Sequence, residues 1–285
     1  MELPLLRLYQ QRLAGDLLAS PQEVVAWLGA VQAQDYAGAK WALGLRMPSM
    51  TDESIEQAFN AGAILRTHGL QRTWHFVLPA DIRWMQALTA PRVHARNAAI
   101  YCQHELDSAV FKLSEKVIST ALEGGRNLTR VELGQVLAEA GIQAGGQRRG
   151  KQFTYGLLAE RAPQAREIAW DDALAALTRR YFTGHGPATV QDFTWGSGLT
   201  SADAKAGLDM AAPFLNSAKI GGQTYWFAAG VPLARESSRP AFLQPTYDKY
   251  LVGYRVWFNF SVKFPHPRPL QLDQHPVQTQ NRGGE

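Results

Sequence analysis

Five times along the chain a hydroxyl residue stands just before an apolar stretch with helical spacing. These starts limit the fold more than any other feature. Ser20-Pro21-Gln22-Glu23 places an N-cap, a proline in the first helical position and a carboxylate that can reach back to the cap. Val24, Val25, Trp27, Leu28 and Val31 follow with amphipathic spacing. Thr51 opens a second helix with Ile55, Ala58 and Phe59 on its inner side. Thr129-Arg-Val-Glu132 is a capping box before Leu133, Val136 and Leu137. Thr189 repeats the box with Asp192 in third place, and Thr200 or Ser201 starts a helix through Leu208 to Phe214.

Strand-like pieces close each group of helices. Residues 65–78 read as two short strands around Gly69, residues 151–158 as another, and 218–228 as a hairpin turning on Gly221-Gly222. The order of helices followed by a ribbon recurs over about 20–78, 108–158 and 171–228. Short helices joined by tight turns and closed by a two-stranded ribbon are the pattern of a winged helix-turn-helix. The fold class expected is α+β, built of about three tandem winged-helix units.

The 285 residues are 46% hydrophobic and 10% aromatic, with eight Trp, enough for a packed core. The net charge of +4 is mildly basic, which fits a nucleic-acid binder and many enzymes alike. One cysteine, Cys102, excludes an intramolecular disulfide and a zinc-finger pattern. The N-terminus has no basic leader or cleavage site, and no apolar run nears the ~18 residues of a membrane span. The expected compartment is the cytoplasm. No phosphate-binding loop, dinucleotide fingerprint or metal-ligand spacing is present.

The stretch from Glu23 to Arg46 reads mostly as an apolar helix, yet carries Gln32, Gln34 and Asp35 in its middle. On a regular helix residues i and i+2 lie ~200° apart, so the two amides can face one way only on extended or irregular backbone. The pair is therefore expected where the helix ends, with Asp35 and Gly38 just beyond. On the residues alone, a helix C-terminus whose polar groups are solvated or cap backbone carbonyls is the preferred reading of all three.

Five motifs in order carry a resemblance: VQAQDYAGAKWALGLR, LRTHGLQRTWHFVLPADIRWM, RGKQFTYGLLAER, RRYFTGHGPATVQDFTWGSGL and LQPTYDKYLVGYR. Together, from about residue 5 to 255, they resemble the bacterial winged helix DNA-binding domain-containing proteins. The characterised members are YcaQ/AlkZ-like DNA glycosylases, which unhook interstrand crosslinks and release bulky alkylated purines. The resemblance implies tandem winged helices around a basic concave face, a β-rich C-terminal part, and a catalytic Gln-x-Gln pair matching Gln32 and Gln34. Two departures stand out. The chain passes from GIQAGGQRRG straight to KQFTY, which shortens the second unit, and the family pattern stops after Arg255, which truncates the β-rich part. The implied units are 1–107 with the catalytic motif, 108–165, 166–230, and a C-terminal segment 231–285 with a divergent tail.

The chemistry suits the residues. A 7-alkylguanine already carries a positive charge, so its glycosidic bond breaks through an oxocarbenium-like sugar with little acid assistance. A neutral amide can accept a hydrogen bond from the attacking water while its NH2 donates elsewhere. Asp35 is the rival, since a carboxylate beside such a sugar is familiar glycosidase chemistry. Candidate DNA contacts are His68 and Arg72 on the first ribbon, Arg148, Arg149 and Lys151 in GQRRGK, and His185 in a Gly-Pro turn. For each, a solvated or turn-forming residue is the alternative. His75 and the aromatics around Asp248 read as structural. No cofactor and no metal are expected, and the expected partner is double-stranded DNA, alkylated or crosslinked, bound by a monomer. The function expected is a monofunctional DNA glycosylase, and the alternative is a winged-helix DNA-binding protein without chemistry, a regulator or a degraded homologue.

Overall fold

A computed structural model describes residues 3–70, 73–142, 153–230 and 243–255. The first set of elements runs α1 (Leu3–Gln10), α2 (Pro21–Leu28), β1 (Val31–Gln32), α3 (Tyr36–Gly44), α4 (Asp52–Asn60), β2 (Leu65–His68), β3 (Trp74–Val77) and the long α5 (Ile82–Gln103). The second runs α6 (Ser108–Leu122), β4 (Leu128–Thr129), α7 (Arg130–Glu139), β5 (Thr154–Tyr155) and α8 (Leu158–Arg161). The third runs α9 (Trp170–His185), α10 (Val190–Ser197), α11 (Ser201–Ala211), β6 (Leu215–Ile220) and β7 (Gln223–Ala228), and α12 (Lys249–Val252) ends the described chain.

Caps set the helix starts where the sequence placed them. The Ser20 hydroxyl accepts from the Glu23 N–H at 3.2 Å, although the Glu23 carboxylate takes the N–H of Ala19, one residue before the cap. Thr51, Thr129, Thr189 and Thr200 all form reciprocal boxes, with Ser54, Glu132, Asp192 and Asp203. The third hairpin pairs Leu215 with Ala228 through Ile220 with Gln223. Gly221 and Gly222 between them have φ of 56° and 79°, the doubly positive turn that matches strand twist and that side chains resist.

The three ribbons share a plan. β3 is the centre of a three-stranded antiparallel sheet ordered β1-β3-β2. β4 pairs with β5 over Leu128–Tyr155 and Thr129–Thr154. In the third set the strand before α10 shrinks to one bridge, Ala188 with Trp226, closed by bonds of 3.0 and 2.8 Å. Thus each set places a short extended piece directly before a helix: α3 in the first, α7 in the second and α10 in the third. In the second and third sets that piece ends in a capping Thr; in the first it lengthens and carries the two glutamines.

Two cores hold the molecule. One, around Val24, Leu28, Val31, Ala33, Leu43, Ile55, Ile64 and Phe76, lies within the first set. The other joins Val77, Ile82, Trp84, Met85 and Leu88 to Leu174, Phe182, Phe193 and Leu208, so α5 packs on α9. Between them in sequence, α6 and α7 bury only Leu122 and Leu133. Of the strand expected at 151–158, the described residues 153–158 hold strand only at Thr154–Tyr155, and Leu158 begins a helical turn.

The segment 243–255 is bound to the N-terminus. Arg46, 1% exposed, holds both oxygens of fully buried Asp248 at 2.7 and 2.9 Å and also bonds to Gln11. Gln11 donates to the Tyr254 hydroxyl, which donates to the His185 carbonyl. Tyr250 donates to the carbonyl of Pro4, and the Arg255 N–H to Asp192. The aromatics around Asp248 are structural, as the sequence suggested.

Candidate active site

The stretch 23–46 is not one helix. Gly29, with φ of 77°, ends α2 after Leu28; Val31–Gln32 is strand, and the chain bends at Gln34 and Asp35 before α3 begins at Tyr36. Gln32 and Gln34 thus lie on non-helical backbone between two helices, and Asp35 and Gly38 belong to the start of the second. Exposure alternates with the period of a strand: Val31 and Ala33 are buried, Gln32 is half-buried and Gln34 is exposed. The two amides share one side, and buried Ala33 anchors the segment from the other.

Strand pairing sets the position. Val31 faces Phe76 and Gln32 faces His75. The Ala33 N–H donates to the Trp74 carbonyl at 2.7 Å. At the next step the Gln34 side-chain oxygen accepts from the Trp74 N–H at 3.4 Å, a long bond in which the side chain prolongs the ladder. The Gln32 amide makes no hydrogen bond among the described residues. Arg66 on β2 donates from Nε to the Ala33 carbonyl at 3.0 Å.

Asp35 occupies the N-cap position of α3 without capping it. Its Oδ2 lies over Gly38, where a Cβ would stand 2.6 Å away, so the carboxylate rests on space that only glycine leaves. It is exposed and beside Gln34.

Aromatic rings gather around Tyr36, two residues after Gln34. Tyr36 meets Phe59, Phe76 and Phe153 edge-on, at 4.9 Å between ring centroids for Phe153. Trp74 lies 3.9 Å from the His68 ring and 6.3 Å from Tyr155 of β5. Lys40 pairs with Asp52 at 2.8 Å and Glu56 at 2.7 Å. Burial works against the ammonium, but the bonds from these carboxylates outweigh it and raise its pKa. Burial and the bond to Glu56 raise the Tyr36 hydroxyl well above its usual range, so it stays neutral.

The remaining candidates divide. His68 is exposed on β2, its ring tilted against that of its cross-strand partner Trp74. Arg72, Arg148, Arg149 and Lys151 lie outside the described residues. His185 is a correction: it is 1% exposed, stacked on Tyr181 at 4.6 Å and 5°, with no face to offer a phosphate. The Gly-Pro turn after it points into the third core, where Arg7 donates to the Pro187 carbonyl. Desolvation, then the nearby Lys249 charge, hold the His185 pKa well below its ordinary value. His75 is buried too, and desolvation lowers it to about 3.

The sequence missed Arg66, whose side chain touches the pair's own backbone; position 66 reads as one more basic residue on a ribbon. It also missed Arg92 and Arg96, exposed one turn apart on α5 with no ion pair among the described residues. A cleft of about 620 Å³ lies elsewhere, between α2, α5 and α9, lined by Trp27, Trp84, Arg166 and Arg179 among others. Neither glutamine lines it. The described residues hold no metal-ligating cluster and no helix long and apolar enough to cross a membrane.

No curated protein matches the sequence. The solved structure of the Streptomyces sahachiroi DNA glycosylase AlkZ is similar in fold, with a TM-score of 0.66 and 20% identity, over 80% of this chain and 71% of that one. The family model of DNA glycosylase AlkZ-like proteins matches residues 25–150 and 135–263. The two stretches overlap at 135–150, and the first of them takes in Gln32 and Gln34. With both stretches matched over most of its length, the chain belongs to the AlkZ-like DNA glycosylase family.

Proposed function

We propose that this DNA glycosylase hydrolyses the N-glycosidic bond of cationic alkylated purines, including those in interstrand crosslinks, with Gln32 and Gln34 holding the attacking water. The observation that carries this reading is the pair's placement: two uncharged amides on one side of the segment between α2 and α3, pivoting on a buried Ala33. Residues two apart on a strand are about 6.6 Å apart. Each side chain is long enough for the two amides to converge from that Cα spacing on one water held by two bonds of about 2.8 Å.

The reaction balances without a cofactor. The electron pair of the glycosidic bond leaves with the base and cancels its positive charge. The water oxygen bonds to the anomeric carbon, and its proton passes to solvent or to the Asp35 carboxylate. In this reading Asp35, adjacent to Gln34, would support the developing positive charge of the sugar, a role that a neutral amide fills less well. No amine accompanies the pair, which favours hydrolysis alone over a lyase step.

Binding of double-stranded DNA is assigned to His68 and Arg72 of the first ribbon and to Arg148, Arg149 and Lys151, with His185 removed from that set. The unit boundaries proposed are 1–107, 108–165, 166–230 and 231–285, with α5 serving both the first and third units, and the protein is proposed to act as a monomer in the cytoplasm. A second reading is DNA binding without base release, as a regulator or a degraded homologue, which the same winged helices would support. Duplex DNA carrying 7-methylguanine or a nitrogen-mustard crosslink separates the two. The glycosylase releases base and leaves an abasic site; the binding protein shifts the duplex and releases nothing.

A further inference from the structure

We infer that Arg66 is a positioning residue: it fixes the backbone that carries Gln32 and Gln34 and ties that backbone to the second ribbon through Phe153. This inference rests on the reading of the glutamines as the water-holding pair. Arg66 pairs with Phe76 across β2 and β3, and so shares a sheet face with Phe76 and Trp74. From there its side chain crosses β3 and donates from Nε to the Ala33 carbonyl at 3.0 Å. Ala33 already gives its N–H to Trp74 at 2.7 Å. Both peptide groups around the pivot are therefore held, one by the central strand and the other by Arg66. The second of these precedes Gln34, and a turn of that peptide swings the Gln34 side chain away from Gln32.

The guanidinium is seated on two rings. Its carbon lies 4.4 Å from the Trp74 centroid and 4.2 Å from that of Phe153. Phe153 immediately precedes β5 and also meets Tyr36, the residue after Asp35, at 4.9 Å. One side chain from the second set of elements thus touches the site from both ends. Lysine cannot substitute. Its flexible ammonium has no fixed in-plane Nε–H, and it gives up hydration less readily to lie on rings.

The test compares Arg66→Lys, Phe153→Leu and Gln34→Ala in the full-length protein. Single-turnover release of 7-methylguanine at saturating enzyme is measured beside the Kd for unmodified duplex and thermal melting. Arg66→Lys is expected to slow release by about 10- to 100-fold, the scale of a small misplacement of catalytic groups, with unchanged Kd. Phe153→Leu is expected to slow it less, again with unchanged Kd. Release by Arg66→Lys at the wild-type rate overturns the inference, since charge alone then suffices. A weaker Kd with an unchanged rate overturns it too, by making Arg66 a phosphate contact. If Arg66→Lys does not fold, Phe153→Leu decides by the same criteria. Wild-type activity in Gln34→Ala sinks the catalytic reading whatever Arg66 does. An inactive Gln34→Ala beside a fully active Arg66→Lys sinks the positioning claim alone.

Discussion

Ala33 has no exposed surface, while the residues on either side of it do. That contrast makes the pair a rigid feature: the pivot is packed against Val31 and Phe76 and cannot slide one residue without exposing itself and burying an amide. Gly38 tests the neighbouring carboxylate. Gly38→Ala improves helix propensity but drives Asp35 from its place, so stability should change by less than about 1 kcal/mol while base release falls toward the level of Asp35→Asn. Equal rates for Gly38→Ala and wild type would remove Asp35 from the chemistry. The buried histidines give a pH prediction. His75 and His185 stay neutral in the fold, whereas the unfolded chain protonates them near pH 6.5. Stability is therefore complete above about pH 6.5 and falls as pH drops below it, by up to about 1.4 kcal/mol per unit for each histidine. Urea unfolding from pH 7 to 5 checks this, and His185→Phe should lessen the slope.

Helix starts were legible in the sequence because a cap is local: Thr51 and Ser54, or Thr189 and Asp192, are three residues apart and need nothing else. β1 was not legible, because two residues, Val31 and Gln32, become a strand only when Phe76 and His75 come to meet them. His185 was misread because Gly186-Pro187 looks like a surface turn, and the strand and arginine that cover it come from positions 226 and 7. The Arg46–Asp248 pair spans 202 residues and leaves no local trace. Asp248→Ala strands a buried guanidinium and should cost about 3–5 kcal/mol in urea unfolding, while a double replacement of both residues by apolar ones should cost less. The elements α6 and α7, with only Leu122 and Leu133 buried, should exchange their amide hydrogens sooner than α9 and α11. Equal protection would show that the second set is held by more than this packing.

Across the whole molecule a modest excess of positive charge, +4, has to hold a polyanion. Exposed cations such as Arg92 and Arg96 on α5 extend that charge beyond the ribbons. Affinity should fall steeply as salt rises, and removing one cation that neutralises a phosphate should lower the log–log slope by about 0.9. Arg92→Glu with Arg96→Glu is expected to weaken binding to any duplex sequence while leaving the single-turnover rate of bound complexes unchanged. An unchanged salt slope would place the DNA on another face. The account depends most on what the first unit does to a damaged base. The direct measurement is release of 7-methylguanine from duplex DNA under single-turnover conditions by wild type, Gln32→Ala and Gln34→Ala. The account predicts release by wild type and a loss of about 10²- to 10³-fold in each variant with unchanged DNA affinity; release at the wild-type rate by either variant would contradict it.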